Sequence, residues 1–170
     1  MVKEIYKPQT LLESRVYKLL RYHGINNPEE IDLEQLCATY RIEIIDINGR
    51  SCTHPHPRKF GWYVIAVDQS LEPIERRLKI AHEFGHLLLH EGVQPDSNEL
   101  MIDWQESQAN SFAEHLLMPY YMFDRFAYKV SLFDAPKYIA QLFQVPEQLA
   151  KRRFDRFISR MYVRGYAHYI

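Results

Sequence analysis

His82-Glu83-Phe84-Gly85-His86 places two imidazoles four residues apart with a carboxylate between them. On an α-helix, residues i and i+4 share a face and lie about 6 Å apart along the axis, so both rings reach one small cation. Glu83 sits beside such a cation without having to ligate it. It is therefore placed to act as general base on a water that the cation activates. The plainer alternative is a charged, solvent-facing helix turn. The surrounding sequence argues against that: Ala81, Phe84, Gly85 and Leu88 form an inward stripe, and the apolar run Leu87-Leu88-Leu89 follows at once. His82 and His86, with Leu78 and Leu89, form the neighbouring stripe, facing a cleft. Glycine in mid-helix costs roughly 1 kcal/mol relative to alanine; at Gly85, close approach of another backbone would explain it.

Catalytic zinc takes three protein ligands and keeps a further position for water. The residue six after His86 is Gly92, which excludes the extended three-histidine arrangement. His90 lies one turn beyond His86, but three successive turns of one straight helix do not wrap one tetrahedral ion. Glu106 is the better candidate. A helix from about Asp103 carries an apolar stripe at Ala109, Phe112, Ala113, Leu116 and Leu117, and Glu106 falls on that stripe. A carboxylate there is costly unless it is paired, hydrogen-bonded or metal-bound. Glu99 and Glu114 do not share this placement. The alternative is a first-turn glutamate favoured by the helix dipole. Asn110, one turn after Glu106, is a candidate for orienting a ligand; capping of a neighbouring loop is an equal alternative.

These residues need a scaffold. The chain has 170 residues, enough for one domain with a core. Hydrophobic residues make up 46% and charged residues 25%, an ordinary globular balance. The net charge of −1 gives no electrostatic footprint for nucleic acid or an anionic membrane. Cys37 and Cys52 make no disulfide framework. Residues 1–10 do not read as a signal peptide, and no apolar run is long enough to span a bilayer. A cytoplasmic protein is expected.

Leu11, Leu12, Val16, Leu19 and Leu20 fall at helical spacing, and Gly24 stops that helix. Asp32 and Gln35 open a second helix to about Tyr40. Ile42–Ile47 reads as a strand, Asn48–Lys59 as a loop rich in Pro, Ser and His, and Phe60–Val67 as the better strand, with Gly61 loosening its start. Pro73 suits the first turn of a helix that runs through the motif to about His90. The helix from Asp103 ends before Pro119. Further helices are expected over Tyr121–Lys129, over Pro136–Phe143 and from Pro146 to about Met161. The last carries Lys151, Arg152, Arg153, Arg156 and Arg160. Its apolar Leu149, Phe154, Phe157, Ile158 and Met161 favour a packed helix with a solvated basic face over a nucleic-acid arm. The expected architecture is α+β in one domain, residues 1–170. It has N-terminal helices and a strand to about residue 48, a catalytic core over 60–119 and a helical part over 120–170.

His82 to His90, followed by Glu106-Ser107-Gln108-Ala109-Asn110-Ser111-Phe112-Ala113 and Leu116-Leu117-Met118-Pro119, resembles the ImmA/IrrE family of metallopeptidases. The resemblance runs from about Phe60 into the C-terminal helices and is looser upstream. It implies a zincin-like domain: a small antiparallel or mixed sheet, the motif helix and C-terminal helices. It implies one zinc ion held by His82, His86 and Glu106, a gluzincin-like set, with Glu83 as catalytic acid/base. Family members include anti-repressors of prophages and mobile elements, so the implied substrate is a separate helix-turn-helix repressor, cut to relieve repression. Some members carry a helix-turn-helix domain of their own; this chain resembles the stand-alone type. The alternative is a non-proteolytic metal-binding regulator that acts by binding a repressor; a toxin of a two-gene module is a weaker one. An extended substrate would pair with an edge strand, for which Gly61, Tyr63 and Ile65 are the candidates. Tyr162, Tyr166 and His168 are candidates for stabilising the oxyanion. His54 and His56 read as loop residues without a third ligand, Cys37 as a core residue and Cys52 as exposed.

Overall fold

The structure is a computed structural model and describes residues 8–90, 99–123, 131 and 133–163. The chain divides into two compact units, one of residues 1–31 with 114–170 and one of residues 32–113.

The unit of residues 32–113 opens with helix α2 (Leu33–Thr39), capped by Asp32, whose Oδ1 accepts the Gln35 N–H at 3.0 Å. Strand β1 (Ile42–Ile47) follows as expected. Three strands form one mixed sheet in the order β1-β3-β2. Strand β3 (Tyr63–Asp68) is parallel to β1, with Ile42 opposite Tyr63 and Ile47 opposite Asp68. Strand β2 (Cys52–Pro55) is antiparallel to β3, with Cys52 opposite Ala66 and Pro55 opposite Tyr63. The central place of β3 explains its unbroken apolar run, Val64 to Val67, all buried. Strand β2 corrects the expectation of a loop over residues 48–59. An edge strand needs little hydrophobicity and tolerates proline, so its sequence carries no strand signature.

Helix α3 (Pro73–Leu89) starts with Pro73 in its first turn and packs across β3 and β2. Arg76 fixes it from outside, bonding Asp46 on β1 at 2.9 Å and facing Glu34 on α2 at 3.5 Å. Helix α4 (Glu99–Leu117) begins one turn earlier than the apolar spacing predicts. Its first residues, Leu100, Met101 and Ile102, are exposed, so the buried stripe that sets the spacing starts only at Ala109.

The other unit holds helix α1 (Leu11–Tyr22), a 3-10 turn at Pro28–Glu30, the end of α4 from Glu114, and helices α5 (Tyr120–Phe123), α6 (Ala135–Phe143) and α7 (Glu147–Val163). The expected helix over Tyr121–Lys129 is described only as far as Phe123; residues 124–130 lie outside the described residues. Its core is aromatic. Phe123 meets Tyr120, Phe143 and Phe157 edge-on at 5.4–5.5 Å. The basic helix differs from the expectation at one residue: Arg153 is 1% exposed, with Nη2 donating to the Met118 carbonyl at 2.7 Å. Arg152 and Arg156 pair with Glu114, Arg160 with Glu13, and Lys151 with Asp155.

Candidate metal centre on helices α3 and α4

Helix α3 buries Ile80, Ala81 and Phe84 on one side, which turns His82 and His86 along the adjoining side toward α4, with Glu83 buried on the same helix between them in sequence. The two helices meet at Gly85. A Cβ there would lie 2.9 Å from Cδ1 and 3.2 Å from Cβ of Phe112 on α4. The close neighbour is thus a side chain, not the backbone that the sequence suggested. The Phe112 ring also stands edge-on to Phe84 at 5.9 Å. Glycine is what lets the α4 aromatic seat between the two histidine turns.

This packing gathers three donors. Nε2 of His82 and Nε2 of His86 are 3.0 Å apart. Glu106 Oε2 is 3.3 Å from the first, and Glu106 Oε1 is 3.1 Å from the second. Among the described residues, His82, His86 and Glu106 form the one group of three or more His, Cys, Asp or Glu side chains whose donors converge closely enough for one ion. Two ligands of a tetrahedral zinc, with bonds near 2.0–2.1 Å, stand about 3.4 Å apart, so the observed spacings fit such an ion. The chemistry of the donors fits as well. Two imidazole nitrogens and a carboxylate oxygen are a set that zinc accepts in catalytic sites. Burial, and then the neighbouring His82, hold His86 below its ordinary imidazole pKa, which favours the neutral, ligating form.

Asn110 takes up the other nitrogen of His82. Its Oδ1 accepts from His82 Nδ1 at 2.9 Å, which leaves the Nε2 lone pair directed at the group. Glu106 departs from the sequence expectation: its side chain is 50% exposed. It stands one turn ahead of the buried stripe, where α4 has not yet become covered. The histidines draw it in; a desolvated core does not. Glu83 is the buried carboxylate, its side chain 7% exposed, and its Oε1 pairs with Lys79 Nζ at 2.7 Å. Lys79 lies outside the motif and was not among the expected site residues, although a lysine one helical turn from a glutamate is a readable i,i+4 signal.

Three other expectations change. Strand β3 is central, hydrogen-bonded on both sides, so it offers no edge to a substrate. Ile65 is fully buried in it, and Gly61 lies ahead of it at a φ of +73°, in a turn. Tyr63 alone of the three presents an exposed side chain. Phe60–Val67 read as an accessible strand because a run of apolar residues does not say which neighbours it has. Tyr162 is exposed near the end of α7, in the unit that does not hold His82, His86 and Glu106; Tyr166 and His168 lie outside the described residues. His56 is bonded to Glu43 at 3.0 Å, and His54 lies on β2. Cys37 is buried, with its thiol pushed up to about 12 by desolvation, and Cys52 is exposed.

Comparison with known proteins bears on this geometry. Residues 41–155 match the family model described as IrrE N-terminal-like domain, a peptidase family. The chain is 26% identical over 160 residues to Metallopeptidase ImmA of Bacillus subtilis, covering 89% of this chain and 90% of that protein. It is 29% identical over 149 residues to the phage-like element PBSX protein XkdA of the same organism, covering 88% of this chain and 74% of XkdA. It is 29% identical over 154 residues to the uncharacterized immunity region protein 2 of Bacillus phage phi105, covering 84% of this chain and 89% of that protein. Among solved structures, a Mycobacterium tuberculosis transcriptional regulator superposes with a TM-score of 0.59 at 20% identity, covering 82% of this chain and 44% of that longer one. That likeness concerns the fold alone.

Proposed function

We propose that this chain, which belongs to the ImmA/IrrE family of metallopeptidases, is a zinc-dependent endopeptidase that cuts a regulatory protein, a helix-turn-helix repressor of a prophage or mobile element, and so relieves repression. The observation that carries the reading is the convergence of His82, His86 and Glu106 donors beside the buried carboxylate of Glu83. The names of two relatives, a phage-like element protein and a phage immunity region protein, support a repressor as the substrate. We take residues 1–170 to act as one metallopeptidase domain in the cytoplasm, with its catalytic residues in the unit of residues 32–113.

In this reading His82, His86 and Glu106 hold one zinc ion, and Asn110 keeps His82 in the ligating tautomer. A zinc ion so bound supplies Lewis acidity, lowering the pKa of water and polarising a carbonyl. The chain's own part is proton transfer. Glu83 removes a proton from the attacking water and delivers it to the departing amine. Lys79 fixes Glu83 Oε1, so the carboxylate keeps one orientation in a buried place. The substrate strand is better sought at β2 than at β3. Among the described residues β2 is paired on one side only, and α3 packs against it. His56 N–H donates to the Trp62 carbonyl at 2.8 Å. The antiparallel alternation from that pair leaves the backbone N–H and C=O of Thr53 directed to the open edge, where an extended peptide would pair.

The test is to load the protein with zinc and incubate it with a cognate helix-turn-helix repressor, to be sought among the products of neighbouring genes. Wild type yields two repressor fragments, and Glu83→Gln, with zinc content unchanged, yields none. An uncut repressor with wild type sinks the endopeptidase reading. The Lys79–Glu83 pair favours one alternative, because it engages the carboxylate that must act as base. A non-proteolytic regulator predicts that Glu83→Gln still relieves repression while His82→Ala or His86→Ala does not.

A further inference from the structure

His90 is the residue at which the chain leaves α3. Its backbone N–H donates to the His86 carbonyl at 3.0 Å, and its dihedrals are already extended. That bond anchors the residue to the motif's last turn. Its ring lies between two others, 5.7 Å from His86 and 5.7 Å from Trp104 on α4. It also hydrogen-bonds the backbone of Gln105. Nε2 of His90 is buried and has no partner among the described residues, so the bond is made by Nδ1–H, donated to the Gln105 carbonyl. A helical carbonyl has a second lone pair free for such a donor.

Gln105 precedes Glu106. At the start of α4, Leu100, Met101, Ile102 and Trp104 are exposed, and the buried stripe begins only at Ala109. The Glu106 side chain is itself half-exposed. We propose that His90 is a positioning residue for the candidate metal centre, fixing the Gln105–Glu106 peptide against α3 so that the Glu106 carboxylate stands opposite His82 and His86. It is not a fourth ligand. The converging group contains His82, His86 and Glu106 and does not include His90. The inference rests on the metal-site reading above and adds the residue that ties the carboxylate-bearing helix to the histidine-bearing one. The sequence places His90 on the wrong turn to be a ligand and gives no sign of its contact with α4.

The experiment measures Zn2+ affinity by chelator competition in the full chain, together with the electronic spectrum of the Co2+-loaded protein. It compares wild type with His90→Phe, His90→Asn and Glu106→Gln. Phenylalanine keeps a ring between His86 and Trp104 but loses the donor; asparagine keeps a donor near the place of Nδ1. His90→Phe is expected to bind Zn2+ roughly 10- to 100-fold more weakly, as supporting residues of metal ligands generally do. Its Co2+ spectrum is expected to shift toward that of Glu106→Gln, and His90→Asn to recover both readouts. A general loss of stability would lower affinity without making the Co2+ spectrum resemble that of the Glu106 variant. Wild-type affinity and spectrum in His90→Phe, with Glu106→Gln impaired, would overturn the inference and leave the metal centre standing. Equal impairment of His90→Phe and His90→Asn would also overturn it, because the donor would then not matter. Unaltered binding by Glu106→Gln would overturn the metal-site reading itself, and the inference with it.

Discussion

Two side chains of the candidate centre are oriented by a neighbour outside the converging group. His82 is tied by Asn110, and Glu83 by Lys79. The consequence is measurable for Asn110. Removing its carbonyl by Asn110→Ala frees the His82 ring and allows the other tautomer. Zinc affinity is expected to fall roughly 10- to 100-fold. Asn110→Asp, which keeps an acceptor for Nδ1–H, is expected to lose far less. Chelator competition on the two variants checks this; equal losses would show that the acceptor does not orient the ring.

At the scale of elements, the meeting of α3 and α4 decides whether the donors converge. Gly85 admits the Phe112 ring at a distance where a methyl group would overlap it. Overpacking a core costs about 1–3 kcal/mol, while alanine in place of a helical glycine gains about 1 kcal/mol. Gly85→Ala is therefore expected to destabilise the wild type by up to about 2 kcal/mol. In a Phe112→Ala background the obstacle is gone, and the same substitution is expected to stabilise by about 1 kcal/mol. Urea unfolding of the four proteins reads the change of sign; an unchanged sign means that the helices relax apart at little cost. The sheet gives a second prediction. Thr53→Pro removes an N–H that points away from β3, so the protein is expected to fold and to bind zinc as before. Its repressor cleavage is expected to fall at least tenfold. Undiminished cleavage would place the substrate elsewhere.

At the scale of the whole molecule, the unit of residues 1–31 and 114–170 contains a buried ionic cluster that links α1 to α7. Glu13 caps α1 through the Gln9 N–H at 2.6 Å and receives Arg160 from α7. Arg153 and Arg160 both lie over the Tyr120 ring, and His115 is 3.2 Å from Arg153 Nη2. Burial, then Arg153, bring His115 down to about 3, against the counteracting carboxylate of Glu13 and with further help from Arg160 and Arg156. Burial alone would raise Glu13, but the Gln9 N–H and Arg160 outweigh it and hold the carboxyl below its usual range. An unfolded His115 takes up a proton near pH 6.5, whereas the folded one resists to about 3. The unfolded state thus binds the extra proton between those values, and stability falls as pH drops through that window. The contribution of Glu13, present above its unfolded value of 4.5, is lost in the same direction as pH falls through its folded value. With a chelator present, the wild-type Tm is expected to fall between pH 6.5 and 4, and the Tm of His115→Gln to fall less. Parallel slopes would show that His115 titrates alike in both states.

Local spacing was enough to read much of this protein. Two histidines four apart can offer both imidazoles to one cation wherever the helix lies, because i and i+4 share a face in every α-helix. The apolar periods set α1, α2, β1, α3 and α7 to within a residue or two, since amphipathic elements carry their burial in their own order. Glu106 was selected by its place relative to Ala109 and Ala113, although it proves half-exposed. Three-dimensional packing decided the rest. Whether β3 is an edge or a centre depends on β2, which lacks apolar alternation and so left no trace in the pattern. The neighbour of Gly85 is a ring 27 residues away on another helix. The burial of Arg153 depends on Tyr120 and Met118, which no window around residue 153 contains. Sequence order records what a residue offers to its own helix or strand. What reaches it from elsewhere, and hence where a carboxylate or a free edge finally stands, is settled only when the elements pack.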